Sequence, residues 1–193
     1  HVITCIRGRH AALELALMEG KHQGLSRRLK EGELDLVITA CPPADEELKQ
    51  VKLLNEPFHL LVRSDNPITA LGQIEPDLLS MLDLLPLSED DFPTDMANST
   101  SKAPHCANIP IFRSYGLSIE TRVRLVLAHG YACLVPSLTC GELTASGKLA
   151  LVEIKNMLMG RKIFALWRRS SPYSADLEEF AVDISSLIRQ HKR

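Results

Sequence analysis

Hydrophobic periodicity along this chain switches repeatedly between a two-residue and a helical repeat, and this alternation limits the possible folds more than any other feature. His22 to Lys30 sets Leu25 and Leu29 on one helical face, and Leu34 to Thr39 follows as a short apolar run of the buried-strand type. With Leu13 to Met18 read as a strand, these segments make a β-α-β unit. After the break at Cys41 to Asp45, Val51 to Leu54 and Pro57 to Arg63 read as two further strands, the second opening on proline, as strands allow. A helix around Pro76 to Leu82 places proline in its first turn, and Leu84 to Leu87 reads as a buried strand.

From Ser88 to Asn108 the periodicity fades into Ser, Asp, Asn, Thr and Pro, and the expectation is a helix fragment and a long loop. The alternation then resumes. Ile109 to Ser114 is a strand, Ser118 to about His129 a helix carrying Ile119, Val123, Val126 and Leu127, Gly130 a stop, and Tyr131 to Val135 a strand. Short segments follow at Pro136 to Leu143, Leu149 to Ile154 and Lys162 to Arg168. A last helix, Ser174 to Gln190, has Leu177, Phe180, Ala181, Ile184 and Leu187 at helical spacing. Two β-α-β units in 193 residues suit one large α/β domain or two small lobes sharing a hinge.

Charge narrows the choice of partner. With 22 basic and 24 acidic side chains the net charge is -2, so the chain itself carries no electrostatic footprint for nucleic acid. No apolar run approaches the roughly 20 residues needed to cross a bilayer, and no signal-like segment opens the sequence, so no membrane partner and a cytoplasmic location are expected. The five cysteines, Cys5, Cys41, Cys106, Cys133 and Cys140, are scattered and odd in number, as suits reduced thiols. No pair of Cys or His has finger-like spacing, so neither a metal site nor a cofactor is expected.

Several motifs in order resemble the effector-binding domain of LysR-type transcriptional regulators. They are Leu25-x-x-x-Leu29-x-x-Gly32-Glu33-Leu34-Asp35-Leu36-Val37-Ile38; Leu53-Leu54-Asn55-Glu56-Pro57-Phe58-His59-Leu60-Leu61-Val62 with the Asn66-Pro67 turn; Phe112-Arg113-Ser114 before the helix opening Ser118-Ile119-Glu120-Thr121; and His129-Gly130-Tyr131-Ala132-Cys133-Leu134-Val135-Pro136. Gly147-Lys148-Leu149 and the closing helix complete the series, so the resemblance covers nearly the whole chain. Each motif alone is weak; their order and spacing are specific.

The resemblance implies a two-lobed α/β domain of the type II periplasmic-binding-protein kind, two Rossmann-like subdomains joined by two crossing strands. Crossings near Pro57 to Arg63 and Phe164 to Arg168 put residues 1–61 plus 166–193 in one lobe and 62–165 in the other. It also implies a small-molecule effector in the cleft, a homodimer or homotetramer, and DNA contact only through an N-terminal winged helix-turn-helix absent from this sequence. Dimer contact is expected from His22 to Lys30 against Ser118 to His129 of the partner chain. In two respects the sequence departs from the pattern: the winged domain is missing, and only Arg7 to Ala12 separates His1 to Ile6 from Leu13, where the family has a long helix.

In open α/β sheets ligands sit beyond the carboxyl ends of strands, beside helix N-termini. That selects Thr39, Ala40 and Cys41; Ser88, Glu89 and Asp90; Ser114 and Tyr115; Ser118; and Thr4 and Cys5 as effector-contact candidates for an anionic or polar metabolite. Ser118 has a plainer role as a helix N-cap, and Glu89 and Asp90 as a solvated turn.

No catalytic residue is expected, because no nucleophile elbow, zincin helix, phosphate loop or dinucleotide fingerprint is present. Of the seven histidines, His22, His129 and His191 look peripheral and His59, inside a crossing strand, looks like a hinge hydrogen-bonder. Three alternatives stand beside the regulator: a small metabolic enzyme of related two-lobed architecture, a free-standing solute-binding protein of the same fold, and a thiol-based redox-sensing regulator. For the last of these His105-Cys106 is the best candidate thiol, while Ser88 to Phe92, where a peroxide-sensing cysteine would align, contains none.

Overall fold

A computed structural model of the chain describes residue 8 and residues 14–40, 44–85, 117–155 and 160–190. The expected strands at 1–6 and 109–114 and the polar stretch 88–108 lie outside the described residues. The chain parts into two compact units, His1–Asn55 with Lys162–Arg193, and Glu56–Arg161.

In the first unit, α1 (His22–Glu31) buries Leu29 completely and ends at Gly32, whose φ of 85° takes the left-handed region that glycine enters without strain. The helix turns directly into β1 (Val37–Thr39), which is shorter than the run Leu34 to Thr39. Arg168 spans this turn: its guanidinium donates to the carbonyls of Leu29 and, at 2.7 Å, of Leu34, satisfying the helix end. Residues 14–18, expected as a strand, form none. Only Leu15 packs inward, while Leu17 and Met18 are 72% and 50% exposed, so the segment's apolar composition did not find a pairing partner.

The expected break before Pro57 is also absent. Leu48 to Arg63 is one continuous strand, β2, beginning in the first unit and ending in the second. Proline fits because its ring is exposed and pairing with β5 starts one residue later, at Phe58 opposite Pro136. β7 (Gly160–Arg168) runs the other way, pairing with β1 through Val37↔Leu166 and Thr39↔Phe164 and lying beside β2. The last helix, α4 (Ser174–Gln190), has the bounds its apolar spacing predicts. It packs Ala181, Ile184, Leu187 and Ile188 on Leu53, Leu54, Ala165 and Trp167, whereas α1 covers the opposite face through Leu29, Val37, Leu48 and Leu166.

In the second unit β2 lies between β5 (Ala132–Pro136) and β6 (Leu149–Ile154), antiparallel to both. β4 (Leu84–Leu85) joins β5 in parallel and β3 (Gln73–Ile74) joins β6 in parallel. The expected helix at Pro76 to Leu82 is a 3-10 turn, Pro76–Met81. The two-residue alternation of β2 divides its side chains: Phe58, Leu60 and Val62 enter one core with Ile74 and Leu79. Leu61 enters the other with Val126, Cys133 and Val135, beneath α2 (Ile119–His129) and α3 (Cys140–Thr144).

Candidate functional site

The carboxyl end of β1 holds the first candidate group. Thr39, its last residue, is half-buried, and Ala40 beyond it is buried at 8% exposure. Because α1 leads directly into β1 through a tight turn, the start of the helix returns beside the end of the strand. His22 Nδ1 lies 3.1 Å from Thr39 Oγ1 and 3.5 Å from the hydroxyl of buried Ser26, one turn along the helix. The imidazole therefore fixes the Thr39 hydroxyl, as donor or acceptor according to tautomer. The N-cap of α1, Lys21, makes no side-chain capping bond.

From its place at a helix start, His22 is expected on the periphery. Its pairing with Thr39 is a tertiary contact, and the only local hint is the i, i+4 spacing of His22 and Ser26.

In the second unit α2 likewise feeds β5 through Gly130, φ 73°, so its N-terminus returns toward the carboxyl end of β5. Ser118 is exposed and caps the helix, its Oγ accepting from Thr121 N–H at 3.3 Å. Thr4, Cys5, Cys41, Ser88, Glu89, Asp90, Ser114 and Tyr115 lie outside the described residues. The structure thus locates Thr39 and Ala40 at the end of β1 in one unit and Ser118 at the start of α2 in the other.

A second residue the sequence reading passed over is Glu56. It is 1% exposed, with Oε2 accepting from Arg161 Nε at 2.7 Å and Oε1 from Leu138 N–H at 3.1 Å. The Arg161 guanidinium also lies 6.0 Å from the centre of the Phe58 ring. Leu138 belongs to the 3-10 turn Ser137–Thr139, which leaves the carboxyl end of β5.

The surface hollows lie elsewhere. One of about 450 Å³ is lined by Lys30, Glu46, Leu48, Arg168 and Arg169, at the end of β1 opposite Thr39. There Lys30 pairs with Asp45, and their mutual hydrogen bond raises the lysine and lowers the carboxyl from their ordinary values, while Arg169 donates to the Glu46 backbone carbonyl at 3.2 Å. Another, of about 270 Å³, lies among Arg63, Ser64, Asp65, Leu127 and Lys148 in the second unit.

Among the described residues no group of His, Cys, Asp and Glu is arranged to hold a metal, and no helix is long and apolar enough to cross a membrane. The described thiols, Cys133 and Cys140, are both buried. Burial first, and the Glu56 charge second, push the Cys140 thiol up to about 11, the reverse of what a reactive thiolate needs. Cys5, Cys41 and Cys106 lie outside the described residues.

Residues 1–182 match the family model of the LysR substrate binding domain. A probable hydrogen peroxide-inducible genes activator of Mycobacterium leprae is 25% identical over 191 residues, 97% of this chain and 60% of that protein. A RuBisCO operon transcriptional regulator of Acidithiobacillus ferrooxidans is 25% identical over 174 residues, 89% of this chain and 56% of that protein. The chain therefore spans about 60% or less of the length of these curated relatives. The reduced OxyR regulatory domain from Pseudomonas aeruginosa superposes with a TM-score of 0.80 at 24% identity, covering 96% of this chain and 89% of that one. That likeness bears out the expected fold class, an α/β domain of type II periplasmic-binding-protein kind.

Proposed function

Because this chain belongs to the LysR substrate-binding domain family, we propose that it is the effector-binding part of a LysR-type transcriptional regulator. It takes a small anionic or polar metabolite and relays occupancy to DNA binding by an N-terminal winged helix-turn-helix outside this chain. The observation that carries the reading is the Thr39 hydroxyl, held by His22 at the carboxyl end of β1, where this class of fold receives ligands. Ala40, Ser118 and the candidates outside the described residues, Thr4, Cys5, Cys41, Ser88, Glu89, Ser114 and Tyr115, complete the proposed site.

Occupancy acts by population shift: the effector favours one arrangement of the lobes by its differential affinity, and a homodimer or homotetramer transmits it. The chain is assigned no catalytic role and a cytoplasmic location.

A thermal-shift screen against carboxylates, amino acids and phosphorylated metabolites tests this, since a ligand that binds only the folded state raises Tm by mass action. A dose-dependent rise abolished by Thr39→Ala is the expected result. A rise that Thr39→Ala leaves intact removes Thr39 from the site.

A second reading, a thiol switch, draws on relatives named as hydrogen peroxide-inducible genes activators. The buried Cys133 and Cys140 do not support it. A peroxide-dependent Tm shift lost in Cys106→Ser would establish it.

A further inference from the structure

Glu56 and Arg161 are the first and last residues of the second unit. Among the described residues Glu56 is the buried carboxylate, and its two oxygens serve different segments: Oε2 accepts from Arg161 on β7, and Oε1 from the Leu138 N–H in the turn after β5. Gly160 brings the two strands together at the same place. A Cβ on it would stand 2.7 Å from the Glu56 carbonyl oxygen, so no other residue permits this approach without a backbone shift.

The turn Ser137–Thr139 has few other anchors. Thr139 Oγ1 donates to Pro136 O at 2.8 Å, at the end of β5, and the Ser137 hydroxyl is buried without a hydrogen-bond partner among the described residues. Among the described residues, Leu138 N–H to Glu56 is the hydrogen bond that runs from the turn itself to a side chain of β2. A buried carboxylate must stay with its cation and its donors, since losing either leaves a charge uncompensated in a low-dielectric interior. A hydrophobic pair would hold the strands equally well, so stability alone gives no reason for an ionic group here.

We propose that Glu56 is a positioning residue that couples the turn Ser137–Thr139, at the carboxyl edge of β5, to β7, so that displacement of either moves the other. The functional value of that coupling rests on the reading above, in which the edge receives an effector; β7 continues from this unit into the first, and the turn's position passes into that strand through one carboxylate.

The test needs no effector. In ¹⁵N-labelled domain, amide exchange at Leu138 is compared with that at Val126, within α2 of the same unit, in the unaltered protein, Arg161→Lys and Arg161→Met. Loss of the guanidinium frees the carboxylate to turn, and Leu138 exchange rises by about tenfold while Val126 is unchanged. The reverse experiment places Thr139→Val in the turn and reads the Arg161 Nε–H resonance, which shifts if the coupling is reciprocal.

Arg161→Lys is the decisive variant if Arg161→Met unfolds the unit. A Leu138 rate within about twofold of the unaltered protein, or an acceleration shared equally by Val126, overturns the proposal. Either result leaves the effector site to the thermal-shift screen, which is read in protein carrying none of these substitutions.

Discussion

Gly160→Ala isolates the close approach of β7 to β2. An ideal Cβ at this position meets the Glu56 carbonyl oxygen at 2.7 Å, the Pro57 Cα at 3.2 Å and the Glu56 carbonyl carbon at 3.3 Å. All three are backbone atoms, so no rotamer change relieves them and the strand pair itself must part. Forcing one methyl into such a contact costs about 1–3 kcal/mol. Against this, alanine narrows the unfolded ensemble and returns about 0.4–1 kcal/mol. Gly160 is not among the positive-φ glycines, so the conformation is open to alanine and sterics alone decide the sign.

The net expectation is a loss of about 1–2 kcal/mol, which at an m-value of about 2 kcal/mol/M lowers the urea midpoint by about 0.5–1 M. Gly141, exposed in α3 with nothing within 4 Å of its would-be Cβ, is the matched control. There the same substitution raises stability by about 0.5 kcal/mol through helix propensity. If Gly160→Ala unfolds at or above the midpoint of the unaltered protein, the close approach, and with it the packing around Glu56, is wrong.

Ser118→Ala removes the α2 cap and costs about 1 kcal/mol in urea unfolding, whereas Ser118→Asn keeps the capping oxygen and the stability. If Ser118→Asn nevertheless abolishes the Tm rise with a metabolite that stabilises the unaltered protein, Ser118 is a ligand contact as well as a cap. For Cys140 the sign follows from its raised value of about 11: the unfolded thiol ionises first, so its stabilising effect is whole at neutral pH and fades as pH climbs past the ordinary thiol value toward 11. Urea midpoints of Cys140→Ala should lack that alkaline decline, and an identical decline would show that the buried thiol is not its source.

The elements that the sequence makes legible are those whose burial pattern and termini are both local. Ser174 to Gln190 is a long stripe of apolar residues, and Ser118 and Gly130 bracket α2 with chemistry that acts within one turn. Residues 14–18 form no strand for the opposite reason. Apolar composition suggests a strand, yet a strand exists only where another backbone pairs with it, and nothing within the segment states whether one does. Pro57 misled in the other direction: a proline in an apolar run argues for a break, but here β2 passes it just before its pairing with β5 begins at Phe58, so the missing donor falls outside that ladder.

The same distinction separates the candidate site residues. Thr39 and Ser118 could be chosen because the end of a strand and the start of a helix are written into local periodicity. His22 and Glu56 could not, since each acquires its role from a partner brought by topology. For Glu56 that partner is 105 residues away. Taken alone, an acidic residue between Asn55 and Pro57 belongs on the surface, because burying a charge without a counter-charge is prohibitive. Only the return of β7 with Arg161 beside it makes burial tolerable, and the strand that supplies the counter-charge also supplies Gly160, the residue small enough to let it approach. The ion pair and the glycine are therefore one feature: substitution at either site tests whether β2 and β7 are held at the separation on which the other depends.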